Sequence, residues 1–140
     1  MSDGELRSIF RSHLPRVFWQ SIESWSTGQG VPDAHYLFAG GMAGWIENKK
    51  TSGWVVDIKR EQGAWLDRYA RLGGRCFVAV RRQAAAGPRR GKANDELWLF
   101  HGRDAQAVRG GGLNAALPLG KWENGPARWN WAEITILLTR

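Results

Sequence analysis

The sequence is poor in cysteine, because Cys76 is its single thiol and no disulfide can form within the chain. It also lacks any run of about 18 apolar residues, the length that a membrane-spanning helix needs. The first residues, MSDGELRSIF, have neither the basic start nor the continuous apolar core of a secretory signal. These absences predict a cytoplasmic protein that does not span a membrane.

Several kinds of chemical site are also missing. The three histidines are scattered without metal-ligand spacing, and Cys76 lies in an apolar segment, which argues against structural zinc and against a cysteine nucleophile. The glycine-rich segments FAGGMAG and RGGGL lack the lysine and the strand-to-helix setting of a phosphate-binding loop. We therefore expect no organic cofactor.

Apolar residues and charge are what the sequence does contain. A hydrophobic fraction of 43% with nine tryptophans in 140 residues predicts one folded domain, residues 1–140. The net charge is +7, and residues 59–92 hold ten Lys/Arg against two Asp/Glu. Such a block favours a polyanionic partner, above all nucleic acid, although a solvated basic face without a partner is the alternative.

Hydrophobic spacing predicts a mixed sheet with helices on its faces, an α/β or α+β architecture. Three consecutive strands are expected to form an antiparallel meander, and the C-terminal segment WNWAEITILLTR fits either a helix or a strand. The other expected helices are DGELRSIFRSHL, KREQGAWLDRYARLGG and DAQAVRGGG, and the expected strands are VFWQSIES, AHYLFAG, AGWIENKK, RCFVAVRR and ELWLFHG.

Two acids and a lysine stand out in the second and third of these strands. Strand alternation places Glu47 and Lys49 on one side of the third strand, and a hairpin would carry the carboxylate of Asp33 alongside that of Glu47. Carboxylates brought close repel each other unless a cation lies between them, and hard Mg²⁺ or Mn²⁺ prefers oxygen ligands. From the residues alone this spacing is common, and a surface ion pair between Glu47 and Lys49 is the favoured interpretation.

The segments VPDAHY and WIENKKTS resemble the PD-(D/E)XK nuclease signature, with Asp33 as its first acid and Glu47 and Lys49 as its second half. The likeness is closest to Holliday junction resolvases and to phage-type and VRR-NUC nucleases, and it covers about residues 3–102, with residues 103–140 as a Trp-rich extension. It implies a restriction-endonuclease-like mixed sheet of about five strands flanked by helices. It also implies a metal-dependent, structure-selective DNA endonuclease that hydrolyses phosphodiester bonds as a homodimer.

The resemblance implies roles for particular residues. Asp33 and Glu47 would bind Mg²⁺ or Mn²⁺, the carbonyl of Asn48 would be a further ligand, and Lys49 would position water or stabilise charge. Gln62 would lie beside the site. The extra acid would be Glu5, from the first helix, or Glu23, from the first strand. The residues expected to contact DNA phosphates are Lys50, Thr51, Ser52, Arg60, Arg81, Arg82, Arg89, Arg90 and Lys92.

Other functions stay open at this point. The chain could be a nuclease for another DNA form, such as a nicking, repair or restriction-like enzyme. It could also be a nucleic-acid-binding module or an assembly protein in which these acids are structural. Trp54 and the tryptophans of the C-terminal extension suit a homodimer interface, which we favour, or stacking on unpaired bases of branched DNA.

Overall fold

The computed structural model describes residues 4–22, 30–84 and 94–140. Within these residues it contains four α-helices and one six-stranded sheet. The helices are α1 (Gly4–His13), α2 (Arg60–Arg71), α3 (Ala105–Gly111) and α4 (Trp131–Thr139). The strands are β1 (Phe18–Ser21), β2 (Ala34–Phe38), β3 (Met42–Thr51), β4 (Cys76–Ala84), β5 (Asn94–His101) and β6 (Gly120–Trp122).

The strands lie side by side in chain order. The first three form the predicted antiparallel meander, whereas β4 pairs with β3 in parallel, so that α2 is the crossover between them. Strands β5 and β6 extend the sheet with antiparallel pairs. The mixed α+β architecture expected from the sequence is therefore confirmed, with one strand more than the expected five.

The hairpin between β2 and β3 fixes which residues of the two strands lie opposite each other. Gly40 and Gly41 both have positive φ, +92° and +85°, a conformation that side chains with a Cβ rarely adopt. The resulting register pairs Ala34 with Ile46. Asp33 directly precedes Ala34, and Glu47 directly follows Ile46, so this turn brings the two acids together.

Each face of the sheet carries its own apolar cluster. On one face Phe10 of α1 and Leu138 of α4 belong to the same cluster as Ile46 of β3, and on the other face Leu66 of α2 and Val108 of α3 belong to the same cluster as Val78 of β4. Burying such a side chain stabilises the fold by about 1.5–3 kcal/mol. The site described below is therefore supported from both sides of β3.

The C-terminal extension is part of this core. Its last segment forms the helix α4, which the sequence left undecided, and the short strand β6 was not predicted. Trp122 and Trp129 are buried in the cluster beneath α1 and α4, and Trp131 packs against it. The expectation that Trp122 and Trp129 form an exposed interface is therefore wrong, because both side chains are buried in the described part of the chain.

Candidate functional site

Asp33, Glu47 and Lys49 meet where β3 runs past the beginning of β2. The backbone N–H of Asp33 donates to Glu47 Oε1 over 3.2 Å, and Lys49 Nζ lies 3.2 Å from Glu47 Oε2. Glu47 and Lys49 are 1% and 2% exposed. The predicted placement of Glu47 and Lys49 on one side of the strand is confirmed, and the pair is buried, unlike a surface ion pair.

Gln62 joins this group from the first turn of α2. Its Oε1 accepts a hydrogen bond from Lys49 Nζ and another from the backbone N–H of Lys59, each over 2.9 Å, while its Nε2 donates to Glu47 Oε2 over 3.2 Å. The bond from Lys59 satisfies a backbone donor at the start of the helix. One amide therefore both caps α2 and holds the ion pair of Glu47 and Lys49.

Asn48 points to the opposite face of β3 and binds Asp33. Its backbone N–H and its Nδ2 both donate to Asp33 Oδ1, over 3.1 and 3.0 Å. Asp33 Oδ2 and Asn48 Oδ1 are buried and have no hydrogen-bond partner within the part of the chain that the structure describes. A buried acceptor left in this state costs about 1–3 kcal/mol, so these two oxygens are typical of a site prepared for a ligand.

Both carboxyl groups hold their protons more tightly than usual. Burial, together with the nearby charge of Glu47, raises the pKa of Asp33 to about 7. Burial also raises the pKa of Glu47, although the ammonium of Lys49 and the N–H of Asp33 oppose the rise. Low dielectric and a second carboxylate both disfavour the charged form, and a bound cation would reverse both effects.

Arg7 is a neighbour that the sequence did not reveal. From α1 its positive charge lowers the pKa of both Asp33 and Glu47, against the larger effect of burial. It also lines a small cavity together with Arg11, Ser21 and Asn48. Its position in the sequence is that of an ordinary helical arginine, and only the docking of α1 on the sheet gives it this role.

The donor atoms fit a hard divalent cation bound in part by its substrate. Mg²⁺ usually keeps several waters and takes one or two protein carboxylates plus phosphate oxygens. Asp33 Oδ2 has no hydrogen-bond partner among the described residues, and Glu47 Oε1 accepts a hydrogen bond from the backbone N–H of Asp33. No group of three His, Cys, Asp or Glu side chains that could hold a metal occurs among residues 4–22, 30–84 and 94–140.

Of the two candidates for a third acid, Glu5 is not part of this arrangement. The carboxylate of Glu5 lies 3.1 Å from Arg81 Nη1 and is 63% exposed, so the structure does not bring it into a cluster with Asp33 and Glu47. The reason is the attraction of the Arg81 guanidinium, which β4 presents to α1. Glu23, the other candidate, lies outside the described residues.

Two of the predicted phosphate contacts are corrected by the structure. Arg81 is 5% exposed and binds both carboxylate oxygens of Asp95, over 2.8 and 2.9 Å. Arg82 is 9% exposed and donates to Glu96 Oε1 and to the carbonyl of Gly53. Because β5 lies beside β4 and supplies both acids, these arginines stabilise the sheet and are not available to DNA.

The remaining predicted contacts differ in their accessibility. Lys50, Ser52 and Arg60 are exposed near the site. The hydroxyl of Thr51 donates to the carbonyl of Val55 over 2.8 Å, so it holds the loop that follows β3. Arg89, Arg90 and Lys92 lie outside the described residues. The basic surface near the site therefore consists of fewer residues than the sequence suggested.

Comparison of the chain with family models, with curated proteins and with solved structures gave no match. No helix in the described ranges combines the length and the apolar character required to traverse a bilayer. The arrangement of Asp33, Glu47, Lys49 and Gln62 is thus the evidence on which a function must be argued.

Proposed function

We propose that this protein is a metal-dependent, structure-selective DNA endonuclease, similar to Holliday junction resolvases, that hydrolyses phosphodiester bonds with Mg²⁺ or Mn²⁺. One observation carries the proposal: the partly buried Asp33 and the buried Glu47 both have raised pKa values, and the Nζ of buried Lys49 is 3.2 Å from Glu47. Burying these charges opposes folding, so a role in binding a cation and a phosphate accounts for them.

Each residue of the site would have a distinct role in the reaction. Asp33 and Glu47 would hold the metal, which supplies a bound water of lowered pKa and neutralises charge on the phosphoryl oxygens. Lys49 would orient the attacking water or stabilise the negative charge of the transition state. Gln62, which binds both Lys49 and Glu47, would keep the ammonium in the correct place.

Charge supports DNA as the substrate. The chain carries a net charge of +7, and Lys50 and Arg60 are exposed on the two elements that carry the site. Their contacts would be to phosphates, which position DNA without reading its sequence. A homodimer is part of the proposal, because a two-fold dimer presents two identical sites to a two-fold four-way junction.

The test is a cleavage assay on a four-way junction, a flap and a linear duplex, with Mg²⁺, Mn²⁺ or EDTA. We expect metal-dependent cutting of the junction, and a loss of at least about 100-fold in Glu47→Gln and in Lys49→Met. Asp67→Asn is a matched control, because this acid pairs with Arg71 on the surface of α2. If purified protein cuts no DNA with either metal, the proposal fails.

The same panel separates the alternative functions. Faster cutting of flap or linear DNA than of the junction indicates a nuclease for another DNA form. Salt-sensitive binding with no cutting, unchanged in Glu47→Gln, indicates a nucleic-acid-binding module whose acids are structural. Sedimentation of the protein alone and with junction DNA measures whether two copies assemble.

A further inference from the structure

An exposed aromatic residue stands between the two elements that form the site. Trp54 lies in the segment that connects β3, which carries Glu47 and Lys49, to α2, which carries Gln62. It is 48% exposed, and the neighbouring Val55 is 78% exposed. Trp54 and Val55 thus expose two adjacent apolar side chains, and contiguous exposed apolar surface is typical of a binding site.

The indole ring of Trp54 is held from behind. The guanidinium carbon of Arg82 lies 4.1 Å from the ring centroid, and Trp98 meets the ring edge-on at 6.1 Å. Arg82 is itself fixed by Glu96 and by the carbonyl of Gly53. The buried Arg82 therefore covers one face of the ring, and 48% of the Trp54 surface stays exposed to solvent.

The backbone of the segment is held as well. The N–H of Leu113 donates to the carbonyl of Trp54 over 2.9 Å, and a Cβ at Gly112 would collide with that oxygen. Val56 and Ile58, which follow, are 2% and 4% exposed in the core. A ring on such a fixed support loses little conformational freedom when a ligand covers it.

We infer that Trp54, with Val55 beside it, is a stacking platform for an unpaired base of nucleic acid bound at the site of Asp33 and Glu47. The inference rests on the proposed function, and it specifies that the DNA substrate contains an unpaired base close to the site. Exposed Lys50, Lys59 and Arg60 surround the same segment and can bind the flanking phosphates. Aromatic stacking combined with backbone charge is how proteins bind unpaired strands, whereas a fully paired duplex offers no base face.

Positive charge also distinguishes this ligand from a second copy of the chain. Two copies that met at this segment would bring the exposed Lys50, Lys59 and Arg60 of each copy together, whereas a polyanion is attracted to them. A flap or a bulge offers an unpaired base, and the centre of an opened four-way junction offers the unstacked faces of its innermost base pairs. Trp54 would therefore confer the preference for such structures, and the acids would cut nearby.

The experiment measures binding in EDTA, so that it does not depend on cleavage. Fluorescence anisotropy gives Kd for a four-way junction, for a duplex with a single-stranded flap and for a fully paired duplex. Trp54→Ala should weaken binding to the first two by about 5- to 150-fold and to the paired duplex by less than about twofold. Trp54→Phe should retain most of the affinity, and Leu72→Ala, which removes an exposed apolar side chain at the other end of α2, should change nothing.

A second measurement uses the unaltered protein, in case Trp54→Ala does not fold. A photoreactive 5-iodouracil placed at the branch should crosslink to Trp54, as located by mass spectrometry. Crosslinks confined to other residues would overturn the inference, as would equal losses of affinity for paired and branched DNA. Loss of a dimer in Trp54→Ala, or Trp54-dependent binding to anionic lipid vesicles without DNA preference, would also overturn it.

The outcomes separate this inference from the proposed function. Metal-dependent cutting, with DNA binding that does not depend on Trp54, would support the nuclease function and refute base stacking on Trp54. Binding of branched DNA that depends on Trp54, with no cutting in the presence of either metal, would support base stacking on Trp54 and refute the nuclease function.

Discussion

Replacing Asp33 with asparagine should make the protein more stable at alkaline pH while removing a ligand of the proposed metal. In Asp33→Asn the amide oxygen can take the place of Oδ1 as the acceptor for the two donors of Asn48, so both hydrogen bonds survive. The amide nitrogen replaces Asp33 Oδ2, which is buried and has no partner in the described part of the chain. The substitution therefore removes a buried charge without removing a hydrogen bond.

The magnitude follows from the pKa of Asp33, which rises from an ordinary value of 3.8 to about 7. At about 1.36 kcal/mol per pH unit, this rise corresponds to about 4 kcal/mol. The unfolded chain loses this proton near pH 4, whereas the folded chain keeps it to about pH 7. The free energy of unfolding of the parent protein therefore falls between these pH values, and Asp33→Asn escapes the fall.

Urea unfolding followed by circular dichroism, in EDTA at pH 4, 6 and 8, measures this difference. We expect the variant and the parent to differ little at pH 4, and the variant to be more stable by about 2–4 kcal/mol at pH 8. Added Mg²⁺ should stabilise the parent but not the variant. Asp67→Asn, at an exposed ion pair, should show no such pH dependence. A difference that does not change with pH, or a variant less stable than the parent at pH 8, would refute the reasoning.

Substitutions at four other positions test the remaining residues of the site and of its surroundings. Arg81→Leu should lower the free energy of unfolding by about 3 kcal/mol, because it leaves Asp95 unpaired, and it should not change the salt dependence of DNA binding. Lys50→Ala should reduce the slope of log K against log salt by about 1 without affecting stability. Chemical denaturation and anisotropy titrations check both. Gln62→Leu should destabilise the protein by about 1–3 kcal/mol, since Lys49 and the helix cap lose their acceptor, and should slow cleavage at least tenfold in single-turnover assays. Arg7→Gln should raise the pKa of Asp33 further, as measured by carbon-13 NMR titration, because it removes a nearby positive charge. Arg7→Lys keeps the charge and should leave this pKa near the parent value. An unchanged pKa in Arg7→Gln would contradict the charge effect.

Local pattern was sufficient for the parts of the fold that depend on neighbours in sequence. Alternation along β3 correctly placed Glu47 and Lys49 on one side, and the two glycines of the hairpin set the register that brings Asp33 beside Glu47. The C-terminal segment could not be assigned, because its exposed side carries the apolar Ile136 and so lacks the clear polar face that distinguishes a helix from a strand.

Contacts between distant segments could not be predicted in this way. Arg81 and Arg82 look like a basic surface in the sequence, and their acids, Asp95 and Glu96, are supplied by β5, the next strand of the sheet. A charge count along the chain does not record which charges pair across the sheet. The role of Arg7 likewise depends on how α1 docks, which no local period specifies.

The two kinds of buried charge in this protein have different physical consequences. Arg81 donates to both carboxylate oxygens of one acid, so its burial is compensated within the fold. Asp33 is not compensated in this way, because one oxygen has no partner among the described residues and the charge on neighbouring Glu47 has the same sign. Folding alone would favour an apolar residue or an amide at position 33. A cation bound to the folded protein would compensate this acid, and this asymmetry, more than the motif itself, is the physical argument that supports the proposed function.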